Sequence, residues 1–251
     1  MQRTEQARDT FVSKPVDPGF SLDAGQFSAS PSSTAHALFA PLHYESGYAY
    51  PLIVWLHGQA ADERHLMRVM PMVSMRNYLA IAPRGVLSVE SQAGEAARYG
   101  WDQSEDCVEQ AEQCVCDCIE VAKQKFSVNP KRVFLAGFDT GGTMALRLAM
   151  DRPERFAGVL SLGGRFAVRP GVFGNLVLAR KLPIYLGVGR DSAVYPPEEV
   201  CEHLRLLHSS GMSITLRQYP CGQELSPQML SDVDRWIIEQ FSSARESQAA
   251  A

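Results

Sequence analysis

The sequence has little that marks a membrane or nucleic-acid-binding protein. No apolar run approaches the roughly 20 residues that a membrane-spanning helix needs, and the first twenty residues lack the apolar core of a signal peptide. Among 251 residues, 24 Lys and Arg stand against 28 Asp and Glu, a net charge of −4 without a basic stripe. We therefore expect a cytoplasmic protein with no membrane and no nucleic-acid partner.

Cysteines are few, and the six that are present lack the spacing of a metal site. Cys114, Cys116 and Cys118 alternate in "CVCDC", but alternate positions of one helix point in different directions, and no Cys/His knuckle lies nearby. Cys107, Cys114 and Cys118 share one face of a helical pattern, which favours small thiols packed against a core. We expect neither a metal nor a cofactor.

The ends of the chain lack a sustained hydrophobic period, whereas its middle has one. Residues 1–33 predict a flexible N-terminal arm and residues 243–251 a flexible tail. Between them, residues 34–242 alternate strand-like apolar runs with helical patterns of about ten residues or more. This alternation, without a linker or repeat, predicts a single α/β domain with a mostly parallel, twisted sheet and helices on both faces.

Local signals add finer expectations. The pattern predicts an amphipathic helix from Asp102 to Phe126 and a turn at Asn129-Pro130 before the next strand. Pro71 is expected to kink or end the helix that contains it. Gly211 is expected to end another helix.

Polar and glycine-rich stretches follow three predicted strands, and function concentrates at the carboxyl ends of parallel strands. The first stretch is His57-Gly58-Gln59 after "LIVWL", and the second is Gly137-Phe138-Asp139-Thr140-Gly141 after "VFLA". The third is Gly189-Arg190-Asp191 after "IYLGV". We expect these stretches to meet at one edge of the sheet.

Four stretches carry a resemblance to a known family. "LIVWLHGQAADE" resembles a strand with its oxyanion loop, and "VFLAGFDTGGTMAL" resembles a nucleophile elbow usually written Gly-Phe-Ser-Gln-Gly-Gly. "GVGRDSAVYPPE" resembles an acid loop, and "QYPCGQEL" resembles a segment that carries Gly-His-Glu. In this order they are similar to the phospholipase/carboxylesterase family, which includes acyl-protein thioesterases. The resemblance runs from His36 to Phe241 and implies a single-domain α/β-hydrolase fold.

The resemblance implies three triad positions. It puts Asp139 at the position of the nucleophilic serine, Asp191 at that of the acid and Gln223 at that of the catalytic histidine. A serine triad works because the imidazole takes the hydroxyl proton and returns it to the leaving group. Asp139 has no hydroxyl and Gln223 does not titrate, so serine-esterase chemistry is not available at these positions.

The resemblance also implies an oxyanion hole and its supporting loop. The N–H groups of Gln59 and Thr140 would face a substrate carbonyl, and His57 and Gly58 belong to the loop that holds Gln59. His57 is expected to order this loop rather than to act as a base. These residues form the predicted binding site for a small ester or acyl ligand.

Asp139 has a structural interpretation that fits its place before a helix. Exposed N–H groups at a helix N-terminus favour a negative charge, so the carboxylate could fill the oxyanion hole and accept from Gln59 and Thr140. Asp191 would then approach the same amide, and Gln223 could donate to one or both carboxylates. Arg165 is either a solvated surface charge or a salt-bridge partner of Asp139.

Two further mechanisms stay open at this point. Asp139 and Asp191 could act as a carboxylate pair with a bound water, since neighbouring carboxylates can separate their pKa values. Asp139 could attack carbon, as an elbow aspartate does in haloalkane dehalogenases, but the resulting ester needs a base for hydrolysis. No second Gly-x-Ser-x-Gly exists elsewhere in the chain. The favoured expectation is a hydrolase scaffold without esterase activity, retained for ligand binding or regulation, and the oligomeric state is open.

Overall fold

The computed structural model describes residues 26–28, 35–89 and 97–249, with side chains excepted at 26–28 and 243–249. An eight-stranded sheet forms its centre, in the spatial order β1-β2-β4-β3-β7-β8-β9-β10. The strands are Gln26–Ser28 (β1), His36–Phe39 (β2), Tyr50–Leu56 (β3), Leu79–Pro83 (β4), Leu87–Val89 (β5), Arg98–Gly100 (β6), Val128–Phe138 (β7), Gly158–Leu162 (β8), Ile184–Gly189 (β9) and Ile214–Tyr219 (β10). β5 and β6 form a separate two-stranded ribbon.

Six α-helices accompany the described strands: Leu66–Val73 (α1), Glu105–Lys125 (α2), Thr140–Asp151 (α3), Leu176–Ala179 (α4), Pro197–Ser209 (α5) and Pro227–Ala249 (α6). Along the sheet, β4, β3, β7, β8, β9 and β10 pair in parallel, whereas β2 is antiparallel to both β1 and β4, and the β5–β6 ribbon is antiparallel. The predicted α/β-hydrolase architecture, with a mostly parallel sheet in a single domain, is confirmed. None of the described helices is long and apolar enough to cross a membrane.

The sheet is buried on both faces, as the continuous apolar strands predict. In β3, Leu52 and Val54 join a cluster that includes residues of α2 and α3. Ile53 and Trp55, which alternate with them, join a second cluster with residues of α1 and α6. Each such side chain contributes about 1.5–3 kcal/mol by its removal from water, so helices are held against both faces.

The expected turn at Asn129-Pro130 is a bulge within a strand. β7 already begins at Val128 and pairs with Tyr50, and the register shifts before Leu52 meets Val133. The Asn129 side-chain oxygen accepts from the backbone N–H of Lys131 at 3.0 Å. The local signal for a turn is therefore present. Because Val128 pairs with Tyr50 and Val133 pairs with Leu52, the residues on both sides of the bulge stay in the sheet.

The helix boundaries differ from the sequence expectation at two places. α1 contains Pro71 and ends two residues later, at Val73. The last helix continues to Ala249, through most of the segment predicted as a flexible tail; "SSARESQAA" contains good helix formers and no Pro or Gly to end the helix. Gly211, with φ of 75°, follows α5 as expected.

The predicted N-terminal arm lies mostly outside the described residues. Within it, Gln26–Ser28 forms the edge strand β1, which pairs with His36–Phe39. Short backbone pairing therefore attaches this part of the arm to the sheet. The flexibility of the remaining residues stays a prediction.

Candidate active site

Asp139 occupies a sharp turn between β7 and α3. Its backbone has φ of 53° and ψ of −124°, a conformation that a residue with a Cβ rarely adopts. Its N–H donates to the Leu162 carbonyl at 2.9 Å, and its carbonyl accepts from the N–H of Thr143 at 3.0 Å. A Cβ on Gly141 would collide with the carbonyl oxygens of Leu56 and His57. The glycine therefore lets the elbow approach the end of β3.

Both carboxylate oxygens of Asp139 accept hydrogen bonds from other loops. The backbone N–H of Gln59 donates to Oδ2 at 3.1 Å, and the Gln223 side-chain amide donates from Nε2 to Oδ1 at 3.0 Å. The second donor expected from the sequence, the Thr140 N–H, makes no hydrogen bond to this carboxylate in the described structure. Gln223 takes that place, and the Thr140 hydroxyl is buried without a hydrogen-bond partner among the described residues.

The Gln223 amide is fixed in one orientation by its partners. Nε2 also donates to the Gly163 carbonyl at 2.8 Å, and Oε1 accepts from the Ser192 hydroxyl at 2.7 Å. The Ser192 oxygen in turn accepts from the backbone N–H of Tyr195 at 3.1 Å. A carbonyl can only accept a hydrogen bond and a backbone N–H can only donate one. The Gly163 carbonyl and the Tyr195 N–H therefore fix the direction of every hydrogen bond in this chain. The amide cannot flip without losing three bonds.

Ser192, not Asp191, contacts the Gln223 side chain. The Asp191 side chain is 61% exposed and pairs with Arg190, with its two oxygens 3.2 and 3.3 Å from Nε and an Nη nitrogen. Ser192 is only 4% exposed, and its hydroxyl points to Gln223. The expectation that Asp191 shares the Gln223 amide with Asp139 therefore does not match the structure. Ser192 therefore contacts Gln223 where the sequence expectation placed Asp191.

His57 is a fully buried part of the oxyanion loop. Its Nε2 accepts from the backbone N–H of Gly85 at 2.8 Å, so the neutral ring carries its proton on Nδ1, which donates to the Gly58 carbonyl at 2.9 Å. Burial lowers the pKa of His57. The Trp101 indole N–H donates to the His57 carbonyl at 3.0 Å. With both ring nitrogens bonded to the backbone, His57 supports the loop that presents Gln59.

None of the histidines is hydrogen-bonded to the elbow residue Asp139 in the described part of the chain. All six histidines lie in this part. His203 bonds through Nδ1 to the Tyr195 hydroxyl at 2.9 Å, and burial lowers its pKa. Arg165 donates to both oxygens of Glu199 at 2.8 and 2.6 Å and so pairs with that residue rather than with Asp139. The centre holds a carboxylate, an amide and a hydroxyl, and no imidazole of the described residues is hydrogen-bonded to any of them.

The described residues contain no group of three or more His, Cys, Asp or Glu that could hold a metal ion. Of the cysteines, Cys107 and Cys118 are buried in the core, and burial raises the pKa of each thiol. Cys116 is half-buried and accepts from the Arg155 guanidinium at 2.7 Å. These thiols contribute to packing on and around α2.

Comparison with known proteins gives consistent matches in sequence and in fold. A family model described as phospholipase/carboxylesterase matches residues 45–240. Acyl-protein thioesterase 1 of Gibberella zeae is 20% identical over 223 residues, covering 86% of this chain and 94% of that protein. A crystal structure of SOBER1 from Arabidopsis thaliana has a TM-score of 0.65 at 20% identity and covers 77% of this chain and 100% of its own. The crystal structure of a carboxylesterase from Mesorhizobium loti has a TM-score of 0.67 at 14% identity. The match covers 86% of this chain and 99% of the carboxylesterase.

Proposed function

The chain belongs to the phospholipase/carboxylesterase family, and from that premise we propose that it is a member without serine-hydrolase activity, retained for binding a small ester or acyl ligand or for regulation. The observation that carries this proposal is the position of the Asp139 carboxylate. It accepts from the Gln59 N–H at 3.1 Å and from the Gln223 amide at 3.0 Å. In a serine hydrolase of this fold, donors after the His-Gly pair stabilise the oxyanion of the tetrahedral intermediate.

The side chains at the centre lack the groups that acyl transfer requires. A nucleophilic hydroxyl must lose its proton to a base, and that base must later protonate the leaving group. Asp139 offers a carboxylate, Gln223 a neutral amide, and Ser192 a hydroxyl already donated to that amide. An ester that reached this site would find no imidazole to carry the proton to the leaving group, and the Gln59 N–H is already donated to Asp139.

The energetics favour a stable arrangement of the replaced residues. The backbone strain at Asp139 costs about 1–3 kcal/mol. Hydrogen bonds to a charged group contribute about 1.5–3 kcal/mol each, and the carboxylate accepts one on each oxygen. The two bonds therefore offset the strain of an elbow that no longer positions a nucleophile.

The carboxylate-pair mechanism finds less support. It needs Asp139 and Asp191 to share a water, whereas the Asp191 carboxylate is exposed and paired with Arg190. An alkyl ester formed on Asp139 would require a base for its hydrolysis, and Gln223 is not one. Location in the cytoplasm and the absence of nucleic-acid partners stay predictions from composition.

Stopped-flow measurement with short-chain p-nitrophenyl esters tests the proposal. We expect neither a burst nor enzymatic turnover from the wild-type protein. Turnover that Asp139→Asn abolishes would instead identify Asp139 as a catalytic carboxylate. Intact-protein mass spectrometry after incubation with alkyl halides and epoxides is the complementary measurement, because a stable adduct on Asp139 would establish attack on carbon.

A further inference from the structure

A cleft of about 360 Å³ opens at the edge of the sheet opposite the elbow. It lies between the segment that enters β3, the segment that enters β4 and the helix α6. Its lining includes Glu45, Tyr48, Arg76, Ile238 and Phe241. Because β3 begins at Tyr50 and the parallel strand β4 at Leu79, the cleft adjoins the amino ends of these strands, whereas Asp139 follows the carboxyl end of β7. The cleft is therefore separate from the centre described above.

Hydrogen bonds within the chain fix the buried walls of this cleft. The backbone N–H of Glu45 donates to the Tyr50 hydroxyl at 3.2 Å, and the Tyr78 hydroxyl donates to Oδ1 of Asp234 at 2.7 Å. The Asn77 side-chain amide donates to the same oxygen at 3.1 Å. Both tyrosines are buried and line the cleft. A preformed cleft binds a ligand without the free-energy cost of ordering its walls.

Apolar side chains that line the same cleft are left exposed. Tyr48 is 50% exposed and Ile238 is 44% exposed, while Phe241 is half-buried. The Tyr48 ring stands nearly perpendicular to the Tyr50 ring, with 4.7 Å between the ring centres and 81° between the ring planes. An aromatic group that entered the cleft would pack against the exposed part of Tyr48 and remove apolar surface from water, which favours binding.

One carboxylate and one guanidinium line this cleft without an internal partner. Glu45 and Arg76 are exposed, and within the described part of the chain neither side chain forms an ion pair or a hydrogen bond. A carboxylate accepts hydrogen bonds from an ammonium group, and a guanidinium donates to a carboxylate in bidentate geometry. A ligand that carries both an ammonium and a carboxylate therefore satisfies both side chains, whereas a ligand with a single charge is repelled by one of them.

From the juxtaposition of Glu45 and Arg76 with the exposed Tyr48 ring, we propose that this cleft binds an aromatic α-amino acid as its zwitterion. The Glu45 carboxylate accepts from the ammonium group, and the Arg76 guanidinium donates to the carboxylate. The volume is near the lower end of the range for small-molecule sites, roughly 300–1,000 Å³, which suits a single amino acid. The site goes beyond the proposed function, because the cleft shares no lining residue with the oxyanion loop, the elbow or the acid loop.

Isothermal titration calorimetry of the full chain tests this site with L-phenylalanine and three analogues that each lack one feature. Phenethylamine lacks the carboxylate, hydrocinnamate lacks the ammonium group, and L-alanine lacks the ring. We expect L-phenylalanine to bind more tightly than each analogue, by about ten-fold or more for the two that lack a charged group. The affinity for L-phenylalanine should fall as salt is added, because both charged contacts are exposed to solvent.

Two substitutions assign the ends of the ligand to the two side chains. Glu45→Gln should weaken the binding of L-phenylalanine by about ten-fold and remove its advantage over hydrocinnamate. Arg76→Gln should weaken it by about the same factor and remove its advantage over phenethylamine. The matched controls are Glu202→Gln and Arg205→Gln, which neutralise exposed charges of α5 outside the cleft and should leave the affinity unchanged.

The possible outcomes separate this site from the proposed function. The absence of any heat of binding with L-phenylalanine, equally tight binding of L-alanine, or an equal loss in the α5 controls would each overturn the amino-acid site. Light scattering that gives the mass of two chains, reduced to one by Tyr48→Ser, would also overturn it, because a second copy would then cover the cleft. Turnover of p-nitrophenyl esters by a protein that binds L-phenylalanine through Glu45 and Arg76 would refute the proposed function and leave this site standing.

Discussion

The side chains of Asp139 and Gln223 are joined by a 3.0 Å hydrogen bond across 84 positions of sequence. In this pair the amide donates and the carboxylate accepts, so both oxygens of Asp139 are occupied once the Gln59 N–H is counted. On the proposed function, this static contact stands where a serine hydrolase has its proton-transfer pair.

Restoring the chemistry should require three substitutions. We expect Asp139→Ser/Ser192→Asp/Gln223→His to hydrolyse short-chain aryl esters, because Ser192 lies 2.7 Å from the histidine position. Asp139→Ser/Gln223→His should be slower by roughly 10⁴-fold, since loss of the acid from a serine triad costs about that much. Burst kinetics with p-nitrophenyl acetate measure both variants.

The same series decides between Ser192 and Asp191 as the acid position. Adding Asp191→Asn to the triple variant should leave its rate unchanged, because the Asp191 carboxylate is exposed and pairs with Arg190. If the double variant is as fast as the triple variant, and Asp191→Asn slows the triple variant, Asp191 and not Ser192 is the acid position. Circular dichroism of each variant excludes misfolding as the cause.

Removing the Gln223 side chain should destabilise the protein. Gln223→Ala leaves Oδ1 of Asp139 and the Gly163 carbonyl without the amide donor, which costs about 1–3 kcal/mol of unfolding free energy. Urea unfolding measures the change. Gln218→Ala, at an exposed position of β10, is the control, and an equal loss there would contradict a specific role for the Gln223 contacts.

Breaking the ion pair behind the oxyanion loop should have a larger effect. Arg84→Gln strands the Glu63 carboxylate, whose side chain is 3% exposed, and removal of one partner of a buried pair costs about 3–5 kcal/mol. Arg152→Gln breaks a more exposed pair with Glu112 and should cost much less unfolding free energy, because solvent screens that pair. If the two variants lose similar amounts of unfolding free energy, the Arg84–Glu63 pair is not effectively buried.

Stability should fall as the pH drops below about 6.5. Burial lowers the folded-state pKa of His57 and, to about 4, that of His65. The unfolded chain therefore binds more protons than the folded one between these values, and stability decreases as the pH falls through that window. Urea unfolding at about pH 7, 6, 5 and 4.5 measures how steeply the unfolding free energy changes with pH. These values cover roughly the interval between the unfolded-state and folded-state pKa of His65. His65→Gln should show a shallower slope, and an unchanged slope would exclude His65 as a contributor.

The fold could be predicted from the sequence because its signals are local and repeated. Buried strands such as β3 and β7 are continuous apolar runs, and "GFDTGG" combines a strand end with glycines that a tight elbow requires. The extent of α6 was harder to predict, since polar composition alone did not separate a helix from a flexible tail. The turn signal at Asn129-Pro130 was real, but pairing of Val128 with Tyr50 keeps it inside β7.

The sequence by itself determined that a carboxylate stands at the elbow and a neutral amide at the position that the resemblance assigns to histidine, because side-chain identity alone excludes a hydroxyl and an imidazole there. Only the tertiary structure decided that Ser192 meets Gln223 while Asp191 turns outward to Arg190. Neighbouring residues of a loop point in different directions, and the backbone torsions after β9 set which one faces the centre. The orientation of the Gln223 amide likewise depends on partners from three separate loops, and no local sequence signal contains them.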